Sequence, residues 1–259
     1  MNKPKKIKPK VRNKKPKIII VMPAYNAGKT VSKTFKEIPK GFASEIILVD
    51  DKSSDKTAAS ARKLGITVFE HPNNLGYGGN QKTCYWEALK RKPDAVIMLH
   101  PDYQYDAALL PELVKPILSK KYDFMFGSRI RIRSEALKGG MPKHKYYFNR
   151  IYTIIANIIL GVNFSEHMSG LRAYSLKALK IVPFQKFSND FIFDQQFTIE
   201  AVKRNLKIGE IPIPTRYYED SSSIKILPGL KFGIESLFLL GVYLLSQITK
   251  TKIAKKVRR

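Results

Sequence analysis

Four polar clusters in this chain carry residue types that could do chemistry. Asp50 and Asp51 are adjacent acids at the end of a β-branched run, and such like charges repel unless a cation or hydrogen-bond donors sit between them. His100, Asp102 and Gln104 place an imidazole, a carboxylate and an amide within five residues. Arg129, Arg131 and Arg133 alternate; on an extended segment all three would share one face and hold an anion, although a solvated basic strand fits the same spacing. Asp194 follows Phe191, Ile192 and Phe193, where a carboxylate is costly unless it serves the reaction or pairs with an arginine. Glu166 and His167 lie before Met168 as further candidates, whereas His71 and His144 have no ligand spacing and are expected at the surface.

The elements that must position these groups follow from the hydrophobic pattern. Short apolar runs predict strands over 17–22, 45–49, 66–69, 95–99 and 123–126, and amphipathic stretches predict helices over 29–38, 54–64, 81–91 and 109–119. That alternation is the pattern of βαβ units around a mainly parallel sheet flanked by helices, an α/β fold. Ligands of open α/β sheets bind beyond the carboxyl ends of the strands. Here those positions are Pro23, Ala24, Tyr25 and Asn26 after the first strand, the 50–55 segment after the second, the 100–104 segment after the fourth and Gly127, Ser128 and Arg129 after the fifth. Ser54 or Asp55 also suits a helix N-cap. Residues 73–80 read Asn-Asn-Leu-Gly-Tyr-Gly-Gly-Asn and match neither glycine fingerprint for phosphate binding. They are expected to form a loop that lets a ligand approach the backbone; a flexible turn before a helix is the alternative.

At 259 residues, with 44% hydrophobic and 26% charged residues, the composition is that of a globular protein with a sizeable core. The single cysteine, Cys84, excludes a disulfide scaffold. The formal charge of +26 is concentrated in the ends: residues 1–17 carry nine basic groups and residues 247–259 carry six, with no acid in either stretch. The proline-bearing stretch 1–16 is expected to be an extended basic arm and not a signal peptide, with a second basic tail over 250–259. A nucleic-acid-binding role would account for the charge. The acids ringing the crevice and the lack of a recognition motif argue against it.

From about Ile18 to Ile224 the chain resembles the family 2 glycosyltransferases of the GT-A fold, in the branch similar to dolichyl-phosphate mannosyltransferase and the polyprenyl-phosphate glycosyltransferases. The resemblance rests on seven segments in one order: Pro-Ala-Tyr-Asn at 23–26, Val-Asp-Asp-Lys-Ser-Ser-Asp at 49–55, Asn-Leu-Gly at 74–76, His-Pro-Asp-Tyr-Gln at 100–104, Gly-Ser-Arg at 127–129, Ser-Gly-Leu-Arg at 169–172, and Phe193-Asp194 ahead of Ile-Pro-Ile-Pro at 211–214. It implies a catalytic region over 17–225, split near 128 into a nucleotide-sugar half and an acceptor half. Asp50 would hold the base, with Pro23, Tyr25, Asn26, Asp51, Asn80 and His100 around the nucleotide sugar. Asp102 and Gln104 match the acid and glutamine that carry Mg2+ or Mn2+ on the diphosphate, and His100 stands where the family has a first acid. An imidazole suits Mn2+ better than Mg2+; His100 would bind the metal or contact only the donor. Arg129, Arg131 and Arg172 would hold the acceptor, and Asp194 would face the sugar or acceptor and act as a base for a hydroxyl. Asp102, Asp194 and Arg129 form the implied catalytic set.

The activity so implied is transfer of a hexosyl group from a UDP- or GDP-linked sugar to a polyprenyl phosphate at the cytoplasmic membrane face. A family 2 transferase acting on a saccharide hydroxyl is the alternative. Two apolar stretches, 151–165 and 236–249, are free of charge over 15 and 14 residues. Both fall short of the roughly 20 residues that span a bilayer, so each is read as an amphipathic helix lying in the interface or as a core helix, with 226–249 as the C-terminal helical segment. Neighbouring basic runs favour attachment to an anionic membrane surface, at about 1 kcal/mol per Lys or Arg.

Overall fold

The computed structural model describes residues 15–214, 216 and 226–257. The basic arm expected over 1–16 lies outside them except for Lys15 and Pro16, as do Arg258 and Arg259 of the second tail. The first half alternates strand and helix: β1 (Ile18–Ala24), α1 (Val31–Glu37), β2 (Glu45–Asp50), α2 (Thr57–Lys63), β3 (Thr67–Glu70), α3 (Gly76–Lys90), β4 (Ala95–Met98), α4 (Leu110–Leu118) and β5 (Phe124–Ser128). The second half is richer in helix: α5 (Arg133–Lys138), α6 (Lys143–Leu160), β6 (Arg172–Ser175), α7 (Leu176–Ile181), α8 (Phe193–Lys203), β7 (Ile208–Pro212) and α9 (Ile226–Val257).

The seven strands form one sheet in the order β3-β2-β1-β4-β6-β5-β7. Every pairing is parallel except those of β6, which runs antiparallel to both β4 and β5. Strands β1, β2 and β3 step outward in one direction, and α3 then carries the chain back to β4 on the other side of β1. The carboxyl ends of β1 and β4 therefore border the point where the strand order reverses, the position that opens a crevice in such sheets.

All seven residues of β1 are buried because helices cover both sheet faces. Ile20 and Met22 join Val31, Leu110 and Leu113 on one face, while Ile19 and Val21 join Tyr85, Phe193 and Phe197 on the other. Each such side chain stabilises the fold by about 1.5–3 kcal/mol. The rigid β1 and its neighbours are what fix the loops at their carboxyl ends.

Three expectations are corrected. The glycine stretch is not a loop, since Gly76 to Asn80 form the opening of α3. The glycines serve close packing: a β-carbon on Gly78 would lie 2.5 Å from the Ser188 carbonyl oxygen, and the Gly78 N–H donates to the Asn189 carbonyl at 2.8 Å. Nor do Arg129, Arg131 and Arg133 share the face of an extended segment. The chain bends after Ser128, Ile130 turns into the core, and Arg133 opens α5.

The third correction concerns the apolar C-terminal segment. Helix α9 continues to Val257, through much of the expected tail, and its stretch Pro228–Thr249 is 22 residues long with mean hydropathy 1.5. By length and composition it is able to cross a membrane. Counting charge-free residues from Ser236 missed this because Lys231 and Glu235 interrupt the run. In the structure Lys231 is paired with Asp190 at 2.6 Å and lies 3.6 Å from Glu235. The other apolar segment belongs to α6, which ends at Leu160 because Gly161 takes a left-handed conformation at φ 66°. One side of α6 joins α8 and α9 through Tyr152, Ala156, Leu160, Ile199 and Leu240.

Candidate functional site

The sheet brings the polar clusters to one rim. Asp50 ends β2 directly beside Ala24 of β1, so the Pro23 to Asn26 turn and the 50–55 segment meet. Asp50 is buried and accepts hydrogen bonds from the Ser53 N–H at 3.0 Å and from the Ser53 hydroxyl. The Asn26 N–H donates to Ser53 Oγ at 2.8 Å, and Asn26 Oδ1 accepts the Ser54 N–H at 2.9 Å. Asp55 receives the Gly28 N–H at 2.9 Å and the Thr57 N–H at 2.9 Å. Asp55 is thus the residue that satisfies the start of α2, as its type suggested. Tyr25 is 59% exposed at the mouth of this turn.

Hydrogen-bond donors sit on the two adjacent acids. Asp51 points away from the crevice and receives the N–H groups of Leu75 at 2.8 Å and Gly76 at 2.9 Å, capping α3. Its Oδ1 also meets His71 Nδ1 at 2.7 Å, and His71 Nε2 meets Thr83 Oγ1 at 2.9 Å. His71 is therefore a nearly buried bracket, contrary to the expected surface position. Asn80 is likewise a bracket, donating its amide to the carbonyls of Ala24 and Val49 at 3.2 and 3.0 Å. Asn26, Asp51 and Asn80, expected around the nucleotide sugar, direct their side-chain bonds to the chain itself and shape the crevice.

Beyond β4 the 100–104 segment crosses the switch point. Tyr103 holds a positive φ of 62° and anchors its N–H on Thr34 Oγ1 at 3.0 Å. The Gln104 N–H bonds Asp102 Oδ1 at 3.1 Å. His100 stacks on Tyr77, with ring centroids 5.4 Å apart, and Gly170 closes its other side, where a β-carbon would sit 3.0 Å from His100 Nε2. Burial lowers the His100 pKa below the ordinary histidine value, with Asp102 and Asp194 opposing it, so the ring is neutral at pH 7.

Asp194, at the start of α8, sits in a network that joins the two halves. Tyr77 donates to its Oδ2 at 2.7 Å, Gln81 to its Oδ1 at 3.3 Å, and Arg172 Nη1 lies 3.6 Å from Oδ1. Arg172 is buried and also binds the carbonyls of Ser169 and Asp194. It holds Asp194 and does not open toward an acceptor, which corrects the expected role. Burial and the Asp194 charge raise the Tyr77 pKa well above its usual value, so the phenol keeps its proton. Tyr77 and Gln81 were not singled out in the sequence; their i,i+4 spacing places both on one helix face, a signal hidden by reading 73–80 as a loop.

Arg129 is also engaged. Its Nε donates to Glu166 Oε1 at 2.8 Å, Nη2 bonds the same carboxylate and the Met168 carbonyl, and its own N–H reaches Glu166 Oε2 at 2.6 Å. Asn149 completes the Glu166 shell at 2.8 Å. Arg131 and Arg133 are exposed. Lys145, in the first turn of α6, has its pKa lowered by burial and by Arg129, which places a second cation beside the Arg129 pair. His167 is buried with Nε2 on Asn157 Oδ1 at 2.9 Å and Nδ1 unpartnered.

The donor set suits a divalent cation that arrives with a diphosphate. Asp102 offers a carboxylate, Gln104 an amide oxygen and His100 a neutral imidazole, while no cluster of three His, Cys, Asp or Glu able to cage an ion occurs among the described residues. Partial protein ligation completed by substrate oxygens is the usual arrangement for such ions.

Comparisons with known proteins give the family and the fold. The model of the family described as glycosyl transferase family 2 matches residues 19–182. An uncharacterised protein of Methanocaldococcus jannaschii is 36% identical over 219 residues, 84% of this chain and 89% of that protein. A Methanococcus voltae protein named UDP-N-acetylglucosamine–dolichyl-phosphate N-acetylglucosaminyltransferase is 27% identical, covering 86% of this chain and 95% of its own. Glucosyl-3-phosphoglycerate synthase of Mycobacterium tuberculosis, crystallised with Mn2+, uridine diphosphate and glucosyl-3-phosphoglycerate, shares the fold with a TM-score of 0.66 at 20% identity, over 87% of this chain and 80% of that one.

Proposed function

The chain belongs to glycosyl transferase family 2, and from that membership we propose that it moves a hexosyl group from a uridine-diphosphate sugar to a polyprenyl phosphate at a membrane surface. The observation that carries the choice of acceptor is the state of Asp194. Its carboxylate already receives Tyr77 and Gln81 and faces Arg172, so it is a poorly placed base for stripping a proton from a hydroxyl. A phosphate needs no such base. Its ionised oxygen attacks the anomeric carbon, the bond from that carbon to the diphosphate oxygen breaks, and the nucleoside diphosphate leaves with the electron pair.

In this reading Tyr25 and Pro23 flank the nucleoside while Asp50 fixes its base. Asp102, with His100 and Gln104, would hold a Mg2+ or Mn2+ ion, which when bound would supply positive charge for the leaving diphosphate. Arg131 and Lys145 hold the acceptor phosphate in line, and Arg129, bonded to Glu166 and the Met168 carbonyl, ties the segment after β5 to the 166–168 stretch. The name of the Methanococcus voltae relative supports both the uridine donor and the dolichyl-type acceptor.

Membrane attachment is proposed for the exposed apolar side of α6 and α9. Ile151, Ile154 and Ile158 on α6 and Leu230, Ile234, Phe238 and Leu245 on α9 are each more than half exposed, and the two helices pack together with Phe148 over Gly233. The site would then work on the cytoplasmic face, where nucleotide sugars are made. Purified protein given Mn2+, a panel of nucleotide sugars and a short polyprenyl phosphate should yield a polyprenyl-phosphate hexose by mass spectrometry. Formation of a glycosylated saccharide alone would reject the acceptor assignment.

A further inference from the structure

Tyr77 lies outside the motif residues, yet its hydroxyl touches both His100 and Asp194: it is 2.7 Å from Asp194 Oδ2 and 3.2 Å from His100 Nε2. A phenol has one proton to give. The carboxylate of Asp194 faces the Arg172 cation and receives the Gln81 amide, and so takes that proton's hydrogen bond as an acceptor. The Tyr77 oxygen is then left to accept, and the remaining partner is His100 Nε2, which must carry a hydrogen.

We propose that Tyr77 is a positioning residue that fixes His100 as the Nε2–H tautomer and thereby presents Nδ1 as a lone-pair donor to the divalent cation held by Asp102. This deepens the reading of the 100–104 segment as the metal-bearing edge and rests on it. Two further contacts make the imidazole a rigid ligand. Tyr77 stacks on it with the ring planes 22° apart, and Gly170 leaves no room for the ring to withdraw, since even a β-carbon there would lie 2.9 Å from His100 Cδ2. A ligating histidine commonly donates its other ring N–H to a carboxylate or carbonyl, which orients it and strengthens it as a donor. Here the chain from Nε2 to the carboxylate of Asp194 runs through the Tyr77 hydroxyl. The imidazole thus brings its own orienting partner from the first turn of α3.

The test is the tautomer itself, read on protein labelled with 15N-histidine at pH 8 by long-range proton–nitrogen correlation, with His100→Gln assigning the signal. The wild-type protein should show His100 with a protonated Nε2 and a bare Nδ1. A protonated Nδ1 with bare Nε2 would overturn the proposal. Tyr77→Phe should convert His100 to a mixture of tautomers while the signals of His71, His144 and His167 stay in place and report an intact fold. The same variant should bind Mn2+ in the presence of uridine diphosphate about 10- to 100-fold more weakly, the usual cost of losing such an orienting partner. A Tyr77→Phe protein with unchanged tautomer and unchanged Mn2+ affinity would also refute it. None of these readouts requires turnover, so a failure of the lipid-acceptor assignment leaves them intact and is seen separately in the product assay.

Discussion

Glu166 is fully buried and shared by Arg129 and Asn149, so removing its charge leaves the Arg129 guanidinium without its counterion in a largely dry site. Glu166→Gln should cost about 3–5 kcal/mol, measured by urea denaturation. Arg129→Lys should likewise lose stability, because ammonium cannot reproduce the fork. Asp102→Asn is a different case: it removes the carboxylate at the cation's edge and should abolish metal-dependent turnover while leaving the thermal midpoint nearly unchanged. His167 gives a pH signature. Burial, then Arg172, hold its pKa at about 4 against 6.5 for an ordinary histidine. Above pH 6.5 the ring is neutral in both states. Between 6.5 and 4 only the unfolded chain takes the proton, and stability falls by about 1.4 kcal/mol per pH step, about 3 kcal/mol in all. His167→Gln, which keeps a donor toward Asn157, should flatten that part of the pH–stability curve; an unchanged slope would place the acid sensitivity elsewhere. At this scale the sequence made the acids legible, since Asp50, Asp51 and Asp194 each required donors that the structure supplies. It did not reveal which donors. Tyr77, Gln81 and the Glu166 shell become visible once α3 and the segment after β5 are placed in space.

Strands β1, β2 and β4 were readable because runs of Ile, Val, Leu and Met have few alternatives in a covered sheet, and β3 and β5 because short β-branched and aromatic runs lie between helical stretches. Strands β6 and β7 carry Arg172, Gly209 and Glu210 and lack that signature; they are strands because neighbours on the sheet pair with them. The opening of α3 was misread for a physical reason as well. Glycine is a poor helix former, and its presence there reflects the close approach of residues 188–190. Gly78→Ala should therefore gain nothing from helix propensity and lose about 1–3 kcal/mol through overpacking against Ser188. Chemical denaturation compares the two proteins directly. A stabilised variant would mean that the opening of α3 tolerates a shift.

The whole molecule sets a crevice on the sheet rim beside two helices, α6 and α9, that expose large apolar side chains. Ile158 and Phe238 are 77% and 72% exposed, and Ile158→Glu with Phe238→Glu should weaken vesicle binding at every salt concentration. Removing residues 1–16 should instead weaken binding at low salt and reduce its salt dependence, because screened attraction is what that arm contributes. Equal binding by both altered proteins in sedimentation with anionic vesicles would reject this surface. The central claim, however, is that the site serves an acceptor that arrives already ionised. The most direct measurement offers the protein two lipids of one chain length, polyprenyl phosphate and polyprenol, with the same uridine-diphosphate sugar and Mn2+, and follows release of uridine diphosphate together with the glycosylated lipid. Transfer to the phosphate and none to the alcohol is the expected result; transfer to polyprenol at a comparable rate would contradict it.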